Sequence, residues 1–494
     1  MCGIVGYAGR GIACGKPLEV CLRGLKRLEY RGYDSAGVAL AAPGMGKAAV
    51  RKKEGRLNNL VDDIERHPLQ DATVGIGHTR WATNGVPSDT NSHPHTSEDG
   101  YIALIHNGII ENAPQLKFEL QSEGYHFASS TDTEVAAKLL GKIQDQIISE
   151  EGKPDLFKAM RRTARMVTGT FTLLAVDVRQ PDIVVGARHD SPLVVGIGDG
   201  ENFLGSDVAA FVAYTKKALE LGQDEAVMIS ADAVTVTDFD GNPAQPREYT
   251  VDWDMSASEK GGWDSFMDKE IHEEPVSVQN TLLGRFDMEN SLDLDEVHIS
   301  EDVFRSVDKI IVVACGTASY AGLVAKYAIE HWVRIPVEVE LAHEFRYRDP
   351  ILTPHTLVVA ISQSGETMDT LMALRHAREQ GSRVLAICNT QGATIPRESD
   401  AVLYTHAGPE IAVASTKAFV AQITAAYLVG LYLAQIKGTM YRDEIREVIR
   451  SLKDMPAKIQ EILDTQADVI EQAARRLAGA RSFLFLGRHV GYPV

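Results

Sequence analysis

Cysteine is scarce in this chain and nowhere paired. Five occur in 494 residues, at Cys2, Cys14, Cys21, Cys315 and Cys388, with no Cys-x-x-Cys spacing. An odd, scattered set makes neither a disulfide frame nor a zinc cluster and points to a reducing, cytoplasmic compartment. Long basic runs are also missing. Fifty Lys and Arg against 68 Asp and Glu leave a net charge of −18, which argues against nucleic acid or an anionic membrane as partner. The first residues show no charged segment followed by an apolar one, so no secretory leader is expected. Apolar runs long enough to span a bilayer are absent with one exception, Ala418 to Ile436 between Lys417 and Lys437. Gln422, Thr424 and Gln435 interrupt it and it follows a strand in an α/β alternation, so it reads as a helix buried in a globular domain, with no membrane involved. Metal-ligand spacing is lacking too. His93-Pro94-His95 alternates around a proline without Cys or carboxylate at ligand spacing, so His78, His93, His95 and His106 read as core or solvent-facing residues. No metal and no organic cofactor is expected.

What the chain does have begins at Met1-Cys2-Gly3-Ile4-Val5-Gly6. Trimming of Met1 would leave Cys2 first, with a thiol and a free α-amine on one residue. An α-amine has a pKa of about 7.7–8.0 against about 10.4 for lysine, so near neutral pH it can accept the thiol proton. Four further groups suit hydrolysis of glutamine at that thiol. A zwitterionic amino acid needs one cation and one anion at fixed separation. Arg80 can grip the carboxylate through a bidentate fork, and Asp132 can hold the ammonium. Asn107 and Gly108, after the strand Tyr101–His106, can offer a side-chain NH₂ and a backbone N–H to a tetrahedral oxyanion. Each has a plain alternative: a surface ion pair for Arg80, a helix N-cap for Asp132, a hairpin turn for Asn107-Gly108.

Short strands separated by turns, with helices near 112–123, 133–147 and 156–166, predict antiparallel sheets between helical layers over residues 1–240. Turn formers without periodicity mark 241–263 as a linker. From 264 the class changes. Lys309 to Cys315, Thr356 to Ile361, Arg383 to Cys388 and Ala401 to Tyr404 are apolar runs separated by helical stretches, the pattern of a doubly wound parallel sheet over 264–464. In such sheets ligands bind beyond the carboxyl ends of the strands. Ser362-Gln363-Ser364-Gly365-Glu366-Thr367 follows one strand and opens a helix, and three hydroxyls with free N–H groups make an anion site there. The P-loop lysine is absent, which excludes a nucleoside-triphosphate cradle. Cys315-Gly316-Thr317-Ala318-Ser319 and Ala412 to Lys417 are two further turns of this kind. Finally Arg481 to Gly487 repeats the design of Lys309 to Gly316 and predicts, over 465–494, the opening strand of a second copy, incomplete at Val494.

Cys2 to Gly6, Arg27 to Gly37, His78 to Thr83, His106 to Gly108 and Thr131 to Glu134 resemble the glutaminase domain of N-terminal-nucleophile amidotransferases. Thr317, Ser362 to Thr367 and Ala412 to Lys417 resemble sugar-isomerase (SIS) domains. Their order in one chain is similar to the glutamine–fructose-6-phosphate aminotransferase family, and Glu270 to Pro275 matches that family's joining segment. The resemblance implies an αββα sandwich followed by SIS domains. It implies Cys2 as nucleophile with Asn107 and Gly108 as oxyanion hole, and Arg31, Arg80, Thr83 and Asp132 around glutamine. Trp81 would gate an ammonia channel. Thr317, Ser362, Gln363, Ser364, Thr367, Val413 and Ser415 would bind a sugar phosphate. Substrates would be glutamine and fructose 6-phosphate, the product glucosamine 6-phosphate for amino-sugar synthesis, and the assembly a homodimer. Asn84 and Ala318 depart from the family's usual histidine and serine. The family's isomerase glutamate, lysine and histidine match stretches beyond Val494. Two rivals are a chain active only as a glutaminase and a sugar-phosphate sensor; no basic helix-turn-helix supports the sensor.

Overall fold

Period-two apolar residues build the first half. In the computed structural model these are β1 (Gly3–Gly9), β2 (Ser35–Ala41), β3 (Ala49–Glu54), β4 (Val74–Arg80), β5 (His95–Thr96), β6 (Ile102–Ile110), β7 (Gly169–Asp177), β8 (Ile183–His189), β9 (Val194–Ile197), β10 (Glu201–Gly205), β11 (Lys217–Glu220), β12 (Glu225–Ser230), β13 (Val234–Asp238) and β14 (Arg247–Thr250). Helices α1 (Lys16–Leu28), α2 (Leu57–Arg66), α3 (Ala113–Ser122), α4 (Asp132–Glu151) and α5 (Leu156–Met166) lie between them. The structure describes residues 2–10, 16–29, 32–82, 85–251, 261–286, 291–294, 297–391 and 393–493. The chain divides into two compact units, Met1–Ser258 and Glu259–Val494.

Among the described residues of the first unit, one antiparallel sheet runs β14-β11-β9-β10-β1-β4-β2-β3 and a second runs β13-β12-β8-β7-β6-β5. The pleat sends alternate side chains to opposite faces. Ile4 and Ala8 join Ile76, Ile105, Leu174 and Leu204 in a core between the sheets. Val5 and Tyr7 face Val20, Cys21 and Leu25 of α1. On the far side Ile102, Leu104 and Leu173 pack against α3, α4 and α5. The layers are therefore helix, sheet, sheet, helix, and each fully buried aliphatic side chain contributes about 1.5–3 kcal/mol. Strands β1 and β4 pair with Gly3 opposite Thr79. That register brings Cys2, one residue before β1, beside the end of β4.

The second unit contains α6 (Phe266–His272), α7 (Glu274–Leu282), α8 (Glu301–Ser306), β15 (Lys309–Ala314), α9 (Thr317–Val333), β16 (Val337–Leu341), α10 (Ala342–Phe345), β17 (Thr356–Ser362), α11 (Met368–Glu379), β18 (Arg383–Cys388), α12 (Thr394–Glu398), β19 (Ala401–Tyr404), α13 (Lys417–Lys437), α14 (Arg442–Lys453) and α15 (Met455–Leu477). Its sheet is parallel, in the order β16-β15-β17-β18-β19. The order reverses between β15 and β17, which makes that crevice the topological switch point. The apolar stretch 418–436 forms α13, whose Leu428, Leu431 and Leu433 are buried in the main core of this unit beside Ile329 and Val312.

Three expectations need correction. The stretch 241–263 is not all linker, because β14 pairs with β11 from Lys217↔Thr250 to Glu220↔Arg247; residues 252–260 lie outside the described residues. The single helix that the sequence predicts from about Asp443 to Leu463 is two helices, α14 and α15, broken where Pro456, lacking an N–H, enters the first turn of α15. Arg481 to Gly487 forms no strand. Leu484, Phe485 and Leu486 are more than four-fifths exposed, and no described strand pairs with them, so the sequence pattern finds nothing to complete it.

Candidate active site

The nucleophile candidate sits where β1, β4 and β6 end together. The Trp81 N–H donates to Cys2 Sγ at 3.1 Å, and the thiol returns a weaker contact to Trp81 O at 3.5 Å. Cys2 keeps part of its surface open, yet desolvation pushes its thiol pKa up, against the Trp81 N–H and the Arg80 charge, which pull it down. Trp81 itself is 40% exposed, its ring edge-on to Tyr33 at 5.3 Å. Arg80, the last residue of β4, is buried and donates through Nη2 to Gly85 O at 3.1 Å. Burial lowers the Arg80 pKa, opposed by Cys2, Asp132 and Asp34 nearby, and of these groups Arg80 and Asp34 bear on the Cys2 thiol.

Asn107 and Gly108 do not form a hairpin turn. They lie inside β6, opposite Thr172 and Phe171 of β7. Asn107 Nδ2 donates to Cys2 O at 2.8 Å, which points this amide at the Cys2 backbone. Gly108 has φ +120°, and a Cβ there would stand 1.9 Å from Thr170 O, so only glycine fits. Asp132 is not an N-cap either. Thr131 occupies the N-cap of α4, and Asp132 Oδ2 accepts the Ile110 N–H at 2.8 Å. The carboxylate is thereby fixed at the end of β6. Arg31 and Thr83 lie outside the described residues.

Two residues of this site were given no role in the sequence reading. His78 Nε2 lies 2.9 Å from His106 O and 3.0 Å from Asn107 Oδ1. A backbone carbonyl only accepts, so Nε2 carries the proton and Asn107 Oδ1 receives it too. This settles which end of the Asn107 amide is NH₂, and that end faces Cys2. Burial lowers the His78 pKa to about 3, so the ring is a neutral donor. Asp34 is the second: its N–H donates to Arg80 O at 3.0 Å, and its Oδ2 accepts the Ala82 N–H at 2.8 Å. It clamps the backbone on either side of Trp81. Its signal was its place in the string Arg27 to Gly37. His93, His95 and His106 are core residues as well; His95 Nε2 meets Thr131 Oγ1 at 3.0 Å and His106 Nδ1 meets Thr133 Oγ1 at 3.1 Å.

In the second unit the turns after β15 and β17 flank the switch point. Ser362 Oγ contacts Thr367 Oγ1 at 3.1 Å and accepts the Gly365 N–H at 3.1 Å. Ser364 Oγ accepts the Glu366 N–H at 3.2 Å, and Gln363 O accepts the Asn389 N–H at 3.3 Å. Gly365 has φ +68°, and a Cβ there would meet Ala393 Cβ at 2.5 Å and Cys388 Sγ at 2.8 Å. Thr317 opens α9 after Gly316, at the same end of the sheet. The third turn is built differently. Glu410 accepts the Ser415 hydroxyl at 2.9 Å and the Thr416 and Ala418 N–H groups at 2.9 and 3.0 Å, so a carboxylate of the chain already fills the start of α13. Glu270 braces the same turn by accepting the Ile411 and Ala412 N–H groups at 2.5 and 3.1 Å. Val413 is 67% exposed.

An αββα unit with a cysteine at the head of its central strand, followed by a parallel sheet with hydroxyl-rich turns at its switch point, is the architecture of a glutamine amidotransferase joined to a sugar-isomerase domain. Residues 78–213 match the glutamine amidotransferase domain family and residues 303–432 match the SIS domain family. The glutamine–fructose-6-phosphate aminotransferase [isomerizing] of Corynebacterium efficiens is 60% identical over 496 residues, covering 100% of this chain and 78% of its own length. That of Streptomyces coelicolor is 60% identical over 494 residues with the same two coverages. The C-terminal domain of glucosamine-fructose-6-phosphate aminotransferase from Francisella tularensis aligns with 48% of this chain and 65% of its own, at 38% identity and a TM-score of 0.46. The chain belongs to the glutamine–fructose-6-phosphate aminotransferase (isomerizing) family.

Proposed function

We propose that Cys2 splits glutamine in the first unit and that the ammonia aminates fructose 6-phosphate held by the second, giving glucosamine 6-phosphate and glutamate. The overall reaction is that of the family. The residue roles rest above all on one observation, the Asn107 amide oriented by His78 and hydrogen-bonded to the carbonyl of Cys2. With Met1 removed, the Cys2 α-amine takes the thiol proton and Sγ attacks the carboxamide carbon of glutamine. The carbonyl oxygen becomes an oxyanion that the second Asn107 N–H and the Gly108 N–H stabilise. The tetrahedral intermediate expels ammonia with the proton the α-amine received, leaving a γ-glutamyl thioester. Water hydrolyses it to glutamate and restores the thiol. Arg80 pairs with the substrate carboxylate and Asp132 with its ammonium, and Arg31 and Thr83 complete this set by the family resemblance. Trp81 is the gate for ammonia.

In the second unit Thr317, Ser362, Gln363, Ser364 and Thr367 bind the sugar phosphate, where hydroxyls and the N-terminus of α11 favour an anion. Val413 and Ser415 line the same ligand from the third turn. The proposal extends to domains at 1–240 and 264–464, a cytoplasmic location, in keeping with Cys2, Cys21, Cys315 and Cys388 all being free thiols, and a homodimer. Acid quench during turnover followed by peptide mass spectrometry tests the central step. A glutamyl adduct on a peptide beginning at Cys2 is expected; glutamate release with no adduct there, or active protein retaining Met1, overturns it.

A further inference from the structure

Three side chains from three successive crossovers meet at the carboxyl edge of the parallel sheet. Cys315 follows β15, His343 lies in α10 after β16, and Asp369 lies in the first turn of α11 after β17. One donor atom from each, a thiol sulfur, an imidazole nitrogen and a carboxylate oxygen, lies within 4.8 Å of both others. We infer that these three residues form a binding site for a zinc-class divalent cation, and that a cation held there hinders sugar-phosphate binding at the adjoining turns.

The donor set carries the first part. Sulfur, nitrogen and oxygen from Cys, His and Asp are the ligands that borderline-soft Zn²⁺ takes, and three protein ligands leave a fourth position for water. A tetrahedral site with metal–ligand bonds of about 2.0–2.3 Å needs its donors about 3.3–3.6 Å apart. Closing the triangle therefore takes about an ångström of movement, and His343 and Asp369 are exposed side chains free to rotate. A thiolate and a carboxylate balance the charge of a divalent cation. Among the described residues no lysine or arginine pairs with Asp369, and the histidine's nearest charged contact is Glu344 at 3.9 Å.

A second observation points to the sulfur. Thr370 is fully buried and its hydroxyl bears on the Cys315 sulfur, favouring the thiolate. Outer hydrogen bonds of this kind steady metal ligands. The second part of the inference follows from position and rests on the reading of the turns as the phosphate site. Cys315 is two residues from Thr317, and Asp369 two from Thr367. A cation held by Cys315 and Asp369 occupies the rim of both turns.

The test titrates the metal-free full chain with Co²⁺ and then displaces it with Zn²⁺. A thiolate-to-cobalt charge-transfer band saturating at one equivalent is expected, absent from Cys315→Ser and requiring at least tenfold more cobalt in His343→Ala and Asp369→Asn. No band dependent on Cys315, or binding unchanged by both other substitutions, overturns the site. Fructose 6-phosphate affinity, measured with and without saturating Zn²⁺, should fall at least tenfold in the wild type and stay constant in Cys315→Ser. A wild-type affinity indifferent to Zn²⁺ overturns the antagonism. Failure of fructose 6-phosphate to bind metal-free protein would instead refute the phosphate-site reading, with the cobalt signal still judging the metal site.

Discussion

His78 is the residue on which the geometry around Cys2 turns. Its buried, neutral ring donates to Asn107 Oδ1 and so presents the Asn107 NH₂ to the carbonyl of Cys2, the proposed nucleophile. Removing that donor frees the amide to rotate, and if Asn107 acts as proposed, loss of one oxyanion donor costs about 10²–10³ in kcat. His78→Phe is expected to lower kcat for glutamine hydrolysis into that range with KM changed less than threefold. His78→Gln, which keeps a donor, should recover part of the loss. A His78→Phe enzyme with full kcat would show that Asn107 is held by other means. This role could not be read from His78-Thr79-Arg80, because a buried histidine looks the same in sequence whether it fills space or orients a neighbour. Cys2, Arg80 and Asp132 could be singled out as candidates because thiol, cation and anion each suggest a chemistry. Position was less so: Asn107-Gly108 has the residues of a turn, but nine residues of pairing with β7 hold it in a strand.

Secondary elements were legible where burial is two-sided. The strands Lys309–Ala314, Thr356–Ser362 and Arg383–Cys388 are continuous apolar runs and stand in the sheet as expected. Strand Val337–Leu341 was missed because it is an edge strand whose glutamates alternate with its valines, and only Val337 is buried. Strand Arg247–Thr250 was hidden for the same reason, at the edge of its sheet with no residue buried. The turn Ser362–Thr367 was legible from its hydroxyls, but not its dependence on Gly365. The φ of +68° and the 2.5 Å approach to Ala393 predict that Gly365→Ala weakens fructose 6-phosphate binding at least tenfold in calorimetry, with glutamine hydrolysis unaffected. Equal affinity in the variant would show that the turn relaxes and does not set the anion site.

For the whole molecule, the buried histidines of the first unit make stability depend on pH. His78 falls to about 3 by burial, and His93 and His95 lie well below the ordinary value for the same cause. Between those depressed values and the unfolded pKa of about 6.5 the unfolded chain binds more protons. Stability is therefore full above about pH 6.5 and is lost as pH falls toward 3, by up to about 1.4 kcal/mol per pH unit for each such histidine. Thermal melts from pH 7.5 to 4.5 should show Tm falling ever more steeply below pH 6.5; a flat Tm over that range would contradict neutral burial. The central claim is a division of labour, with glutamine split at Cys2 and the sugar phosphate held by the turns after β15 and β17. It is tested most directly by assaying glutamate release without sugar, and fructose 6-phosphate binding without glutamine, in Cys2→Ser and Thr367→Val. The account predicts that Cys2→Ser releases no glutamate and binds fructose 6-phosphate as the wild type does, while Thr367→Val hydrolyses glutamine and binds the sugar at least tenfold more weakly. Glutamate release from Cys2→Ser at a rate near that of the wild type would contradict it.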